Sequence, residues 1–123
     1  SQILFEVCLT VGDGEVVTLL GRNGMGKTTT VSTIMGVVPA RQGTISFADA
    51  PIQHLPSYRI ARRGLALVPE GRQIFPNLSV YENLIATAAN WGRIDDRWTL
   101  DKVFDLFPAL KPLQSRMAAV LSG

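Results

Sequence analysis

Gly21-Arg22-Asn23-Gly24-Met25-Gly26-Lys27-Thr28-Thr29 decides the reading of this chain. It fits the phosphate-loop pattern G-x-x-x-x-G-K-[ST] at every position. Its flanks suit the motif. Glu15 to Leu20 reads EVVTLL, an apolar, β-branched run of buried-strand type. Lys27 to Met35 reads KTTTVSTIM and closes at Gly36, which predicts a helix. A loop between strand and helix is where a polyphosphate can be wrapped. Glycines let successive backbone N–H groups turn inward as an anion nest. The helix N-terminus adds orphan donors and a partial positive charge. Lys27 brings a full charge to the β- and γ-phosphates. Thr28 is placed to ligate Mg²⁺, and Thr29 is near enough to help hold a phosphate. The expected ligand is a nucleotide with Mg²⁺, its phosphates bound by Gly21 through Thr29.

Working outward, Ile3 to Val11 alternates apolar and polar positions and predicts a strand. Cys8 within it is expected to be a small buried residue. Gly12-Asp13-Gly14 predicts a tight turn that pairs this strand with EVVTLL as a hairpin. Beyond the first helix, Pro39 to Gly43 reads as a turn, Thr44 to Phe47 as a short strand and Ala48 to Pro51 as another turn. Leu55 to Arg63 reads as a helix and Leu65 to Val68 as a strand ended by Pro69. Glu70 to Pro76 is a loop. Ser79-x-x-Glu82 is a capping box that opens a helix running to about Trp91. Asp95 and Asp96 lie in a polar connection. Thr99 caps a helix with Leu100, Val103, Phe104 and Phe107 on one face, ended by Pro108. Leu113 to Val120 is a weaker helix candidate. The order is an α/β beginning followed by a helical part.

Composition narrows the function classes. The 123 residues suffice for one domain, 46% of them are hydrophobic and 18% charged. A net charge of +2 gives no argument for nucleic acid. Arg59, Arg62 and Arg63 form the one basic cluster and read as a solvated helix face. The single cysteine excludes an internal disulfide. No apolar run approaches the roughly 20 residues of a transmembrane helix, and no signal-peptide pattern is visible.

Taken together, GRNGMGKTTT after a hairpin, GTISF, LALVPEGRQIFPNLSVYENL and the terminal Leu121-Ser122-Gly123 resemble the nucleotide-binding domain of ATP-binding-cassette (ABC) transporters. The wording VPEGRQIFPNLSVYENL is similar to the LivF-type ATP-binding subunit of branched-chain amino-acid importers, with urea-importer ATPases alike. The resemblance implies an incomplete phosphate-loop NTPase core of α/β class with a small antiparallel β part over residues 1–78. A helical subdomain over 79–123 would end in the start of the signature, Leu121, Ser122 and Gly123. It implies a second ABC ATPase domain as partner, in a homo- or heterodimer. It also implies membrane permease subunits that contact the Q-loop and helical subdomain, and indirectly a substrate-binding protein outside the membrane. The location implied is the cytoplasmic face of the membrane, as a peripheral subunit. Glu70 falls where the family has the Q-loop glutamine. A carboxylate there either reaches the metal through water or pairs with Arg72.

The same resemblance marks what the sequence does not contain. The family needs an apolar strand ending in Asp-Glu to order Mg²⁺ and polarise the attacking water, and a later switch histidine. Neither occurs, and His54, the one histidine, reads as a surface residue. The adenine-stacking aromatic of the family would precede the first strand, and the chain begins at Ser1 within that region. The expectation is an N-terminal-half fragment that grips nucleotide with little or no hydrolysis of its own. Marginal stability is expected as well, because buried parallel strands left at an edge expose apolar faces and unpaired backbone.

Overall fold

A computed structural model of the chain describes residues 4–71, 73–88 and 98–121. It divides into two compact units, Ser1–Leu65 and Ala66–Gly123.

In the first unit, helix α1 (Lys27–Ile34) begins at Gly26. It ends in a glycine cap of Schellman type. The Gly36 N–H donates to Thr33 O at 3.1 Å, and the Val37 N–H donates to Ser32 O at 2.9 Å. Gly36 has φ 66°, and a Cβ there would stand 2.8 Å from the Ile60 side chain. Glycine therefore serves twice, by its backbone angle and by letting α2 (Ser57–Ala61) approach. Strands β1 (Ser46–Phe47) and β2 (Ala50–Pro51) pair antiparallel, with Phe47 opposite Ala50. The turn between them puts Ala48 at φ 48° and Asp49 at φ 59°. Two left-handed central residues define the hairpin turn whose twist matches the strands. Ala50–Pro51 is thus a strand rather than part of the expected turn. Neither Ala48 nor Asp49 is the glycine that usually signals such a hairpin. The packed centre of this unit is Ile52 and Ile60, each 1% exposed.

Residues 4–20 differ from expectation. Among the described residues, the runs 4–11 and 15–20 form no strand, and neither does 65–68. The Gly12–Glu15 turn is present, with the Glu15 N–H donating to Gly12 O at 3.1 Å. The Glu15 carboxylate in turn accepts from the Gly12 N–H at 2.6 Å. Its flanks do not pair, and Phe5, Val7, Leu9, Val16 and Leu20 stay exposed. Cys8 is exposed rather than buried. The physical reason is that a two-stranded hairpin is marginal in water unless further strands or a helix cover its apolar face.

In the second unit, α3 (Val80–Thr87) and α4 (Leu100–Leu106) are capped as the sequence predicts, by Ser79 and Thr99. The Thr99 side chain accepts from the Lys102 N–H. A 3-10 turn, Pro108–Leu113, follows. The helix expected over 113–120 does not form. Residues 114–118 instead run beside the start of α3, with Ser79 and Met117 bridged antiparallel, before a short 3-10 turn, Ala118–Val120. Their backbone groups bond across to α3, as described below, and so are not free for a helix. Val80, Phe104 and Ala118 are the buried residues among the described part of this unit. The part of the α3 expectation that reaches Trp91, and the Asp95–Asp96 connection, lie outside the described residues.

Candidate functional site

The phosphate-loop segment forms a turn that folds onto the start of α1. Gly24 and Gly26 sit at φ 84° and 85°, angles that a side chain with a Cβ resists. The space beside Gly24 is open, and Gly26 is buried. The Met25 N–H donates to Arg22 O at 3.3 Å and closes the turn. The Lys27 ammonium donates to Gly21 O at 2.7 Å and Arg22 O at 2.9 Å. Its positive end therefore lies across the loop mouth and clips the two ends of the segment together. A lysine has three donors and no acceptor, so one N–H remains to meet an anion.

The first three backbone donors of α1 are open. Among the described residues no oxygen accepts from the N–H of Lys27, Thr28 or Thr29, and Gly26 offers no capping side chain. The first closed bond is Thr30 N–H to Gly26 O at 2.8 Å. Orphan N–H groups at a helix N-terminus favour negative charge.

Of the hydroxyls in the run Thr28-Thr29-Thr30, the structure ties one, that of Thr30, into the helix. The Thr30 hydroxyl donates to Gly26 O at 2.9 Å, and the Thr33 hydroxyl to Thr29 O at 2.8 Å. Those two are committed to the helix. Thr28 is exposed at the loop, and no hydrogen bond from its hydroxyl is found among the described residues. Among the described residues no three His, Cys, Asp or Glu side chains gather to hold a metal ion. The Lys27 ammonium, the open N–H groups and the exposed Thr28 hydroxyl are chemically compatible with Mg·ATP.

The other expected site residues fall elsewhere. Arg22, Asn23 and Met25 are exposed on the loop. Glu70 is exposed and belongs to the second unit, and its alternative partner Arg72 lies outside the described residues. Leu121 is half-buried, with its N–H donating to Ala118 O at 3.3 Å. Ser122 and Gly123 lie outside the described residues. His54 is exposed, as expected. Arg59, Arg62 and Arg63 are exposed too, with the Arg62 guanidinium 5.9 Å from the Tyr58 ring centre.

Sequence reasoning placed Asn83 only within the stretch Asn77 to Asn83 expected to lie near the membrane subunits, and missed the bonds its amide makes. Its Oδ1 accepts from the Phe75 N–H at 2.8 Å. Its Nδ2 faces Phe75 O at 3.0 Å, Leu78 O at 3.2 Å and Ser79 O at 2.9 Å. The available signal was an amide one turn inside a helix that follows a Pro-Asn turn. Nearby, the Ser79 N–H and hydroxyl both donate to the Glu82 carboxylate at 2.8 Å. Those bonds, the backbone one foremost, hold the Glu82 carboxyl below its ordinary value.

Comparison with known proteins follows the same residues. Residues 4–123 match the family described as ABC transporter. The chain is 40% identical over 122 residues to the high-affinity branched-chain amino acid transport ATP-binding protein BraG of Pseudomonas aeruginosa, covering 99% of the chain and 52% of that protein. It is 47% identical over 124 residues to the lipopolysaccharide export system ATP-binding protein LptB of Escherichia coli, again 99% and 52%. A probable branched-chain amino acid transport ATP-binding protein LivF of Archaeoglobus fulgidus is 31% identical over 122 residues, with the same coverage. The chain spans about half the length of the curated relatives it matches.

Proposed function

This chain belongs to the ABC transporter family, and we propose that it forms the nucleotide-gripping part of an ATP-binding subunit that couples ATP binding and hydrolysis to uptake of branched-chain amino acids. The observation that carries the nucleotide reading is the start of α1. Three N–H groups without an acceptor among the described residues stand beside an ammonium clipped across the loop that precedes them. Such a group of donors selects a polyphosphate. In this reading Gly21 through Thr29 hold the phosphates and Lys27 stabilises charge on the γ-phosphate. Thr28 supplies an oxygen to Mg²⁺, which neutralises developing charge during phosphoryl transfer when bound. Residues 1–78 form the nucleotide-binding part and 79–123 the helical part. Leu121, Ser122 and Gly123 would act on the nucleotide of a second ATPase domain. Glu70 and the turn after it would face membrane permease subunits at the cytoplasmic side of the membrane, and the subunit would meet a substrate-binding protein only through them. The chain by itself would bind nucleotide without turnover, because its sequence contains no strand ending in Asp-Glu to position the attacking water.

The importer reading is supported by the match to BraG and by VPEGRQIFPNLSVYENL. The higher identity with LptB favours a second reading, an ATPase subunit of lipopolysaccharide export. Labelled-leucine uptake separates the two in cells lacking the coding sequence. Loss of uptake supports the importer, and normal uptake with defective lipopolysaccharide delivery to the cell surface supports the exporter. The nucleotide step is tested by calorimetric titration with Mg·ATP. Saturable binding is expected, and its absence would sink the reading.

A further inference from the structure

Phe75-Pro76-Asn77-Leu78 is a tight turn, closed by the Leu78 N–H donating to Phe75 O at 3.1 Å. Proline in the second place suits such a turn, yet a four-residue turn has little hold of its own. The hold comes from Asn83, which lies on α3 and is half-buried. Its amide meets both the N–H and the C=O of Phe75, as a neighbouring strand would. Its Nδ2 also faces the carbonyls of Leu78 and Ser79. Three carbonyl oxygens on one side of the amide and one N–H on the other fix which atom is nitrogen. No other side chain among the described residues bonds to Phe75 or Leu78. Ile74 and Phe75 remain about half exposed, so the amide holds an apolar pair out in solvent.

We infer that Asn83 is a positioning residue whose side-chain amide locks the Phe75–Leu78 turn to α3, so that a movement of α3 carries the exposed Ile74–Phe75 pair with it as one rigid body. The lock rests on this geometry alone. Its use in coupling rests on the transport reading given above. The chemistry predicts an unusual response to charge. A carboxylate in place of the amide would face three carbonyl oxygens at about 3 Å and be expelled. Protonation would return one donor and restore part of the lock.

The test measures hydrogen exchange at the Phe75 amide in the chain carrying Asn83→Ala or Asn83→Asp. Each rate is referred to the intrinsic rate at the same pH. The Phe107 amide, bonded to Val103 O in the same unit, serves as the folding control. Asn83→Ala should lower Phe75 protection by about tenfold or more, the loss of one well-made hydrogen bond, with Phe107 unchanged. Asn83→Asp should match it at pH 7 and recover as pH falls through the carboxylate range. Full Phe75 protection in Asn83→Ala, or no pH recovery in Asn83→Asp, would overturn the lock. In the complete subunit assembled with its permease, Asn83→Ala should lower kcat for ATP several-fold while KM for Mg·ATP stays put. An unchanged kcat would overturn the coupling role. Neither result touches the leucine-uptake experiment, so failure here is distinct from failure of the transport reading.

Discussion

The helix starts at Lys27 and at Val80 are built from the same backbone, and they treat their first N–H groups in opposite ways. At α3 every early donor is spoken for. The Val80 N–H donates to Arg116 O at 3.0 Å and the Tyr81 N–H to Gln114 O at 2.9 Å. The Glu82 N–H donates to the Ser79 hydroxyl at 3.2 Å. At α1 the corresponding donors on Lys27, Thr28 and Thr29 have no protein acceptor among the described residues. The difference begins with one residue. Ser79 carries an oxygen that closes the end, whereas Gly26 carries nothing and turns left-handed. A helix start becomes an anion site when the chain withholds its cap, and a structural joint when the chain supplies one.

The largest expected effect breaks the open end. Lys27→Ala removes a charged donor worth about 1.5–3 kcal/mol, which calorimetry should read as roughly ten- to hundredfold weaker Mg·ATP binding. Unchanged affinity would mean that the open donors at α1 are not a phosphate grip. Next, Gly26→Ala forces a Cβ into φ 85°, at a cost of about 1–2 kcal/mol, and should shift the urea midpoint of the first unit as well as weaken binding. If both stay at the parent values, the left-handed start is not required.

Two smaller effects sharpen the closed end. Ser79→Ala should cost about 1 kcal/mol, seen as a lower thermal midpoint. It should not create phosphate binding, because Arg116 and Gln114 still hold the Val80 and Tyr81 donors. New phosphate affinity in that variant would contradict the comparison. The smallest effect is a pH dependence. The Glu82 carboxyl lies below its ordinary value of 4.5 because the Ser79 N–H and hydroxyl favour the charged form. Its stabilisation is therefore fully present above pH 4.5 and drains away as pH falls through the lowered value. Subtracting the melting curves of Glu82→Gln from those of the parent should show a difference only on the neutral side of that window.

What the sequence disclosed and what it withheld divide by range of interaction. Both side-chain caps and the end of α1 at Gly36 depend on residues within five positions of each other, and these were legible. The runs 4–11 and 15–20 were not. Alternation at Phe5, Val7, Leu9 and Val11 says which side of an extended chain is apolar, and it cannot say that anything lies against that side. The Ala48–Asp49 hairpin was missed because its left-handed pair lacks the glycine that advertises it. The helix expected over 113–120 was lost to a distant claim, since its backbone groups serve the start of α3. Within the site, the sequence named Thr28 for the metal, and the structure adds only that the Thr30 hydroxyl is tied back to Gly26 O and so is engaged elsewhere.

The bare run at the start of the chain has a chemical consequence. Its alternating apolar side chains surround the only thiol in the sequence, and Cys8 stands open to solvent. Alkylation at that sulfur is therefore a clock for the segment. Labelling should run at the speed of a small free thiol while the run is uncovered, and slow in proportion to the time that any other piece of protein spends lying over it.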